Sequence, residues 1–381
     1  MKILQVGKFW PVLGGVEKVM FDLTEGLSSR GIECDMLCAN SDNLSKEIRL
    51  NESGRVIAVK TVVKANSTMI SPAMISRLRR IAHEYDIIHI HHPDPMAALS
   101  LFMSGYKGKV VLHWHADILR QKILLHFYRP LQNWLLRRAD MVICTSPNYV
   151  AGSNALQSVA NKLKCVPIGV APIIPKKDAA KELHELAAGR KIVFALGRMI
   201  PYKGFDNLVL AARHLPDDYA VIIAGSGPLY EPLKKLMNEN GLDSKVIMPG
   251  RISDEVRDSL MDSAAVFCLP SVEKTEAYGI VLIEAMSTGT PVVATEIPGS
   301  GTSWVNAHGV SGLNVPCGSP KKLAEAIIRV VDSSNKPGYY GDNARKRWEK
   351  LFTIDRFIDN MTGIYNELLF RPNKDRGGGD V

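Results

Sequence analysis

Short apolar runs rich in β-branched residues recur along the chain, and stretches with helical periodicity separate them. Strands that alternate with helices at this spacing are typical of parallel sheets with crossover helices. The runs form two series, separated by a proline- and glycine-rich segment at residues 166–178. The pattern therefore predicts an α/β protein with two domains, each built on a parallel sheet. The predicted strands are KILQV, CDMLCA, RVIAV, DIIHIHH, KVVLHWH and DMVICT in the first series, and KIVFALG, YAVIIAG, KVIMPG, AVFCLP and PVVAT in the second.

The chain length fits this division, because 381 residues suffice for two hydrophobic cores of ordinary size. We expect an N-terminal domain at residues 1–168 and a C-terminal domain at residues 169–350, with the separating segment as a hinge. A last helix at residues 351–370 is expected to return to the N-terminal domain. Residues 371–381 are expected to form a flexible tail.

The cysteine content favours a reducing compartment. None of the six cysteines forms a CxxC pair, and most lie in apolar runs such as MVICT and AVFCLP. We therefore expect buried thiols and neither a zinc site nor a disulfide framework.

The sequence opens on a strand rather than a leader, and no apolar run reaches the roughly 18 residues of a membrane-spanning helix. A cytoplasmic location is expected.

The net positive charge of the chain is confined to its first half. Residues 1–170 contain 21 basic and 13 acidic residues, whereas the remainder contains 26 of each. A basic first domain suggests an anionic partner surface, either membrane lipid or nucleic acid. A generally basic surface that maintains solubility explains the same asymmetry.

One segment of the first domain has the composition of a helix that lies in a membrane interface. Residues 118–138 combine basic side chains with Phe127, Tyr128 and Trp134. Pro130 is expected to kink or divide this helix. An ordinary amphipathic helix that covers the first sheet is the alternative interpretation. The predicted lipid-binding residues are Arg120, Lys122, Arg129, Arg137 and Arg138.

The most specific chemical signal follows the strand AVFCLP in the second domain. A loop at residues 270–280 leads into a helix that is predicted to begin at Val281, and a helix N-terminus offers free amides at the carboxyl edge of a parallel sheet. Glu276 is expected in this loop and Glu284 about two turns into the helix. Ionised carboxylates accept hydrogen bonds from sugar or ribose hydroxyls, so the pair suits a hydroxyl-rich ligand. The alternative is one acid that interacts with the helix dipole and one solvated glutamate.

A second element, GRMIPYKG, follows the strand KIVFALG and carries Arg198 and Lys203. A forked guanidinium and an ammonium at one strand end suit a diphosphate, although a single such cation is also compatible with surface charge. Lys203 and Glu276 are both expected at loop edges where packing is limited. The loop AGSGP at residues 224–228 resembles half of a dinucleotide-binding fingerprint and is weak on its own.

In the first domain, Gly14 and Gly15 form a short loop between the first strand and a helix that starts near Glu17. Backbone without Cβ atoms can approach a ligand closely, and the helix N-terminus attracts anionic groups. A tight strand-to-helix turn explains the same residues equally well.

Histidines end two strands of the first domain. His89, His91 and His92 close one strand, whereas His113 and His115 close another. Alternation along a strand sends neighbouring side chains to opposite faces, so we predict no metal site here. His89 and His113 are expected to be satisfied core residues. His115, at a strand tip, is the functional candidate.

Together these segments resemble a known family. The glutamate pair Glu276-x7-Glu284, GRMIPYKG, AGSGP, the N-terminal GGVE turn and STGTPVVAT resemble the retaining glycosyltransferases of sequence family 4. That family has the GT-B fold, in which two Rossmann-like domains with parallel sheets face a central cleft. The resemblance extends from Met1 to about Leu369. It is greatest to enzymes that build O-antigen and other surface polysaccharides, many of which are mannosyltransferases that use GDP-mannose.

The resemblance implies a role for each matching residue. Arg198 and Lys203 would bind the donor diphosphate. Glu284 would hold the ribose and Glu276 the transferred sugar, while His115 would contact sugar hydroxyls near the reacting carbon. The implied catalytic residues are thus His115, Glu276, Arg198 and Lys203, and the implied donor-binding residues are Gly14, Gly15, Arg198, Lys203, Arg251, Glu276, Ala277, Tyr278, Gly279, Ile280 and Glu284.

One segment departs from the family pattern. Where the family has a Gly-Gly pair near residue 299, this chain has Pro298-Gly299-Ser300-Gly301. The departure affects the shape of this loop and its sugar contacts.

The resemblance predicts a retaining, metal-independent hexosyltransferase for surface-polysaccharide synthesis, with GDP-mannose as the best candidate donor and a polyprenyl-diphosphate-linked saccharide as acceptor. No cofactor is expected, because the nucleotide-sugar is a substrate. The protein would bind anionic lipid peripherally at the inner face of the plasma membrane and would not bind nucleic acid. The alternatives are a GT-B epimerase or phosphorylase and a transferase to a small soluble acceptor. A nucleic-acid-binding protein and a nicotinamide oxidoreductase are disfavoured, because the sequence contains no recognition motif and no complete dinucleotide fingerprint.

Overall fold

The computed structural model describes residues 1–12, 14–65, 68–119, 122–176, 178–333 and 338–370. For residues 65, 68 and 122–124 it describes the backbone but not the side chains. The strands are β1 (Lys2–Trp10), β2 (Glu33–Asn40), β3 (Lys46–Arg49), β4 (Arg55–Val59), β5 (Val63–Ala65), β6 (Thr68–Ile70), β7 (Ile87–His92), β8 (Lys109–Trp114), β9 (Met141–Cys144), β10 (Leu163–Cys165), β11 (Lys191–Leu196), β12 (Tyr219–Ala224), β13 (Val246–Gly250), β14 (Val266–Leu269), β15 (Val292–Glu296) and β16 (Gly312–Pro316). The helices are α1 (Gly15–Ser28), α2 (Pro72–Ile81), α3 (Pro95–Ser104), α4 (Lys122–Arg138), α5 (Pro147–Ala151), α6 (Asn154–Gln157), α7 (Lys181–Ala187), α8 (Phe205–Ala211), α9 (Tyr230–Glu239), α10 (Asp254–Ser263), α11 (Ile280–Ser287), α12 (Thr302–Val305), α13 (Pro320–Val331), α14 (Tyr339–Leu351) and α15 (Ile354–Phe370).

The chain folds into two compact units. The first comprises Met1–Thr145, Asn154–Ile168 and the segment from Ile354 onward, and the second comprises Ser146–Ser153 and Gly169–Thr353. The passage after Ile168 lies inside the proline- and glycine-rich segment. Nothing in the sequence pattern marks the short excursion into the second unit at residues 146–153. The expected tail at residues 371–381 lies outside the described residues.

The first unit is built on an eight-stranded sheet with the order β10-β9-β8-β7-β1-β2-β4-β3. Neighbouring strands are parallel except β3, which pairs antiparallel with β4 at the edge. Strands β5 and β6 form a separate two-stranded antiparallel sheet. The sequence pattern missed β3, β5, β6 and β10, because each has only three or four residues and, unlike the four-residue strands β9 and β14, is not a continuous apolar run.

The second unit is built on a six-stranded parallel sheet with the order β13-β12-β11-β14-β15-β16. Its apolar strands are buried, as expected for a parallel sheet covered by helices on both faces. The chain moves outward from β11 to β13 and then restarts on the other side of β11 with β14. The strand order therefore reverses between β11 and β14, which is where open parallel sheets bind ligands at their carboxyl ends.

The last helix, α15, belongs to the first unit and buries one face against it. Its residues Phe357, Ile358, Met361 and Tyr365 are almost inaccessible to solvent. A Cβ atom at Gly26 of α1 would overlap the Ile358 side chain, so the absence of a side chain there permits close helix packing. The buried face of α15 brings residues from the end of the chain next to the first strand.

Two local expectations can be compared with the structure. Pro130 does not divide α4, which is one continuous helix with this proline inside it. Cys165 is exposed, not buried, and its Sγ lies 2.7 Å from that of buried Cys144 on the neighbouring strand β9. Among the helices of the described residues, none is both long enough and apolar enough to cross a membrane.

Candidate active site

The reversal of strand order brings two loops of the second unit together. Strands β11 and β14 are direct neighbours, and each is followed by one of the segments that the sequence marked as chemical. Gly204, after β11, adopts the left-handed conformation with φ 63°, and a Cβ atom there would overlap the carbonyl oxygen of Pro270, after β14. The backbone of the two loops is therefore in direct contact, which only glycine allows at this position.

Lys203 and Glu276 form the centre of this site. Lys203 closes a single 3-10 turn at Pro201–Lys203, and its Nζ donates to Oε2 of Glu276 at 2.6 Å. Ser271 Oγ donates to the same carboxylate oxygen at 3.0 Å. Both charged side chains are only 11% exposed, so our expectation that these positions are lightly packed is wrong. The pair is a nearly buried, hydrogen-bonded ion pair.

The loop that carries Glu276 is held from a third strand end. After β15, Ser300 Oγ donates to the carbonyl oxygen of Glu276, and the amide of Gly301 donates to the carbonyl oxygen of Ala277 at 2.8 Å. On β15 itself, Thr295 Oγ1 donates to the carbonyl oxygen of Ser271. The segment that departs from the family pattern thus positions the glutamate loop. Ser300 belongs to the segment that the sequence marked as a departure, whereas Ser271 and Thr295 were not predicted, and only their position beside strand ends could have indicated them.

Helix α11 starts one residue earlier than predicted, and Glu284 lies closer to its N-terminus than expected. Gly279 is its N-cap, in the left-handed conformation with φ 80°, and Ile280 is its first residue. Glu284 therefore lies about one turn into the helix, not two. Tyr278 is buried and packs edge-to-face on Phe352, whereas Ala277 and Glu284 are partly exposed.

The two remaining predicted cations of the donor site are exposed. Arg198 lies two residues after β11, and Arg251 directly follows β13. The AGSGP loop after β12 packs onto the same segment, since the amide of Met199 donates to the carbonyl oxygen of Ser226 at 2.9 Å. A Cβ atom at Gly225 would overlap the carbonyl oxygen of Gly197. The glycines of this loop are therefore explained by backbone packing.

In the first unit, the N-terminal glycine loop is a helix start. Gly15 is the first residue of α1, two residues earlier than predicted, and Gly14 is its N-cap. A Cβ atom at Gly14 would meet only the carboxylate end of the Glu17 side chain, which can move, so packing does not require glycine here. The preceding Leu13 lies outside the described residues.

Four histidines of β7 and the end of β8 stack in the interior of the first unit. The rings of His89, His91, His113 and His115 lie with centroids 4.1–5.5 Å apart and interplanar angles of 8–26°. Alternation does send His92 to the other face, but residues two apart share a face and this set converges. Ring nitrogens of His89, His91 and His113 that could bind a metal ion lie within 4.8 Å of one another. Strand alternation alone does not predict this spacing.

Burial keeps these imidazoles neutral. It lowers the pKa of His113 to about 3 and holds the pKa values of His89, His91 and His115 well below their ordinary range. Within the described residues, Nε2 of His89 and both ring nitrogens of His113 have no hydrogen-bond partner, so these two are not the satisfied core residues we expected. Imidazole lone pairs lie in the ring plane, and nearly parallel rings do not direct them to one point. The observed stack would have to rotate to hold an ion.

The predicted lipid-binding residues divide into two groups. Arg129 and Arg137 are exposed on α4 beside Phe127, which is 76% exposed, while Tyr128 of the same helix is buried. Arg138 instead pairs with Asp140 at 3.3 Å and donates to the carbonyl oxygens of Tyr106 and Gly108, which does not fit a lipid contact. Arg120 and the side chain of Lys122 lie outside the described residues.

The chain has two α/β units, each built on a mainly parallel sheet, and the second carries a paired lysine and glutamate where its strand order reverses. These features are those of a GT-B glycosyltransferase. The family model "Glycosyltransferase Family 4" matches residues 13–172, and "Glycosyl transferases group 1" matches residues 176–347. The chain belongs to the group 1/family 4 glycosyltransferases. The family and fold predicted from the sequence are thereby confirmed.

Individual relatives agree with this assignment. O-antigen chain mannosyltransferase C of Escherichia coli is 32% identical over 374 residues, which cover 97% of this chain and 99% of that protein. D-rhamnosyltransferase WbpZ of Pseudomonas aeruginosa is 32% identical over 358 residues, which cover 93% and 92%. The structure of sucrose-phosphate synthase from Thermosynechococcus elongatus matches with a TM-score of 0.79 at 22% identity, covering 97% of this chain and 99% of that chain, and so shows the shared fold.

Removal of one partner of the Lys203–Glu276 pair is expected to destabilise the protein, because it leaves a charge in a nearly buried position. Lys203→Ala should lower the free energy of unfolding by roughly 3 kcal/mol. The double variant Lys203→Met/Glu276→Gln should recover part of this loss. Urea unfolding measures the free energy of unfolding of the unmodified protein, Lys203→Ala and the double variant.

Lys176→Ala is the matched control, since Lys176 forms an exposed pair with Glu255 at 3.3 Å. It should cost less than about 1 kcal/mol. Equal losses for Lys203→Ala and Lys176→Ala would contradict the buried character of the central pair.

Proposed function

We propose that the protein is a retaining mannosyltransferase that moves mannose from GDP-mannose to a polyprenyl-diphosphate-linked saccharide during O-antigen or related surface-polysaccharide synthesis. The observation that carries this proposal is the hydrogen-bonded Lys203–Glu276 pair at the strand-order reversal of the second unit. The name of one relative, O-antigen chain mannosyltransferase C, supports both the polymer class and the sugar.

The donor diphosphate is assigned to Arg198 and Lys203. An ammonium has three donors, so Lys203 can keep its bond to Glu276 and still donate to a phosphate oxygen. The exposed guanidinium of Arg198 offers a planar fork that matches a phosphate group. Arg251 would add positive charge from the end of β13. These cations offset the charge that develops on the departing nucleotide, and we propose that the reaction needs no metal and no cofactor.

The sugar and ribose are assigned to the two glutamates. Lys203 and Ser271 both donate to Oε2 of Glu276, and we assign Oε1 to a hydroxyl of the transferred sugar. Glu284, one turn into α11, is assigned to the ribose hydroxyls. The amides of Ala277 to Ile280 complete the proposed donor site of the second unit. In the first unit, we assign Gly14 and Gly15 to backbone contacts with the donor and His115 to hydroxyls of the transferred sugar.

The proposed reaction is a front-face displacement through an oxocarbenium-like transition state. The bond between the anomeric carbon and the diphosphate oxygen breaks while the acceptor oxygen bonds to the same face of that carbon. The proton of the acceptor hydroxyl passes to an oxygen of the leaving diphosphate. The protein contributes by positioning both substrates and by stabilising negative charge on the leaving group.

Loss of a donor contact should reduce transfer by protein that is still folded. Arg198→Ala and Glu276→Gln should each lower kcat/KM for GDP-mannose by about 10²- to 10³-fold, because each removes a contact to charge or hydroxyls at the reacting centre. Initial-rate assays with a lipid-linked acceptor measure the effect. GDP-mannose should also raise the Tm of the unmodified protein more than UDP-glucose does.

Glu273→Gln is the matched control, because Glu273 is an exposed acid in the same loop. It should retain nearly normal kcat/KM. Near-normal turnover by folded Glu276→Gln and Arg198→Ala would remove the donor site from this part of the sheet.

We further propose that the acceptor is reached from an anionic membrane surface, with the exposed side of α4 as the contact. Phe127, Arg129 and Arg137 are exposed there, and residues 1–170 hold the entire net charge of +8. Each basic residue near an anionic surface contributes on the order of 1 kcal/mol, so a few suffice for reversible binding. This contact is peripheral and would place the protein at the inner face of the plasma membrane.

Charge reversal on this side of α4 should abolish lipid binding. The protein should sediment with vesicles that contain anionic lipid and should be released as salt rises. Arg129→Glu/Arg137→Glu should prevent sedimentation. The control Arg79→Glu/Arg80→Glu changes the same amount of charge on the exposed end of α2 and should retain it. Equal sedimentation of both double variants, or equal binding to neutral vesicles, would show that α4 is a packed helix without a lipid contact.

A further inference from the structure

A continuous chain of hydrogen bonds crosses the interior of the first unit and ends at His115. His115 Nε2 lies 2.9 Å from Nδ1 of His91, and Nε2 of His91 lies 2.9 Å from Oε1 of Gln5. Gln5 Nε2 donates to Oη of Tyr365 at 3.2 Å, and this oxygen lies 2.6 Å from Nδ1 of His89. All five side chains are buried. The chain therefore links strands β1 and β7 and helix α15 to the end of β8.

The amide of Gln5 gives this chain a direction. Its nitrogen donates to Tyr365 and also lies 3.7 Å from Sγ of Cys34, so its carbonyl oxygen is the atom beside His91. A carbonyl oxygen only accepts, and Nε2 of His91 must carry the proton. Because burial keeps His91 neutral, its Nδ1 has no proton and accepts. Nε2 of His115 must then be the donor, and the neutral His115 has no proton on Nδ1.

The opposite direction satisfies the chain less well. If the amide of Gln5 were reversed, its nitrogen would face His91 and only one of its two hydrogens would have an acceptor in the chain. In the observed orientation one hydrogen is directed to Tyr365 and the other to Cys34. The hydroxyl of Tyr365 accepts a hydrogen bond from Gln5 and donates one to Nδ1 of His89. Tyr365 and Cys34 thus fix the amide, and the amide fixes two imidazoles.

We propose that Gln5 and Tyr365 are positioning residues that hold His115 in its Nε2–H tautomer, so that Nδ1 is the nitrogen available to accept a hydrogen bond from a hydroxyl of the donor sugar. This inference rests on the proposed function for the role of His115, but the tautomer itself does not. The ligand class is specific: the contacted sugar position must carry a hydroxyl that donates. A deoxy or O-methyl group at that position cannot make this bond.

The tautomer can be measured on the free protein. Long-range 1H–15N correlation spectra of histidine-labelled protein distinguish Nε2–H from Nδ1–H imidazoles, and His115→Asn assigns the signal of His115. The unmodified protein should show Nε2–H at His115. Gln5→Leu, which has a similar volume but no amide, should populate both tautomers. Tyr365→Phe removes a single oxygen atom and should do the same, which provides a second variant if Gln5→Leu does not fold.

His113→Phe is the matched control, because His113 stacks on His115 with a centroid distance of 4.1 Å but takes no part in the chain. It should leave the Nε2–H signal of His115 in place. An Nδ1–H signal in the unmodified protein would overturn the inference. So would a tautomer ratio that Gln5→Leu and Tyr365→Phe leave unchanged, or that His113→Phe alters as strongly.

The kinetic effect separates this inference from the proposed function. If His115 accepts from the sugar, Gln5→Leu should raise the KM for the donor between about two- and tenfold with a smaller change in kcat, since only part of the protein holds the competent tautomer. A changed tautomer with unchanged KM would overturn the positioning role. A protein without any transferase activity would refute the proposed function, while the spectra would still decide the tautomer.

Discussion

The ion pair between Lys203 and Glu276 joins the two loops on either side of the strand-order reversal in the second unit. Much of that region is arranged around it. Gly204 allows the loop backbones to touch, Ser271 adds a second donor to the carboxylate, and Ser300 holds the carbonyl group of Glu276. Each nearly buried charge is stabilised by its partner, because desolvation of an unpaired charge costs several kcal/mol. Under the proposed function, a diphosphate that approaches Lys203 would enter a site whose positive charge is already oriented.

The sequence was sufficient to predict the fold wherever an element had a long enough pattern. The apolar strands of both sheets and the passage between the units after Ile168 follow from periodicity and from proline and glycine content. Short strands that contain polar residues, such as β5 and β10, have no such signal, and β16 of the second sheet was not predicted either. The start of α11 also differed, because Gly279 ends the loop in a left-handed conformation that the sequence pattern alone does not fix.

The site illustrates a different limit. Both chemical segments could be assigned to carboxyl ends of strands, but adjacency of β11 and β14 is a property of the whole sheet and does not follow from local pattern. The buried histidines show the same limit, since residues two apart on β7 meet residues of β8 only through strand register. Gln5 and Tyr365 are 360 positions apart, and their contact depends on the docking of α15.

The claim that the protein transfers a sugar with retention is tested most directly by the anomeric configuration of its product. The protein would be incubated with GDP-mannose and a short-chain polyprenyl-diphosphate-linked saccharide in buffer that contains EDTA, and the new linkage would be examined by NMR. We expect an α-mannosyl product, with the configuration of the donor preserved. A β-linked product, or a product that forms only when a divalent metal ion is restored, would contradict this expectation.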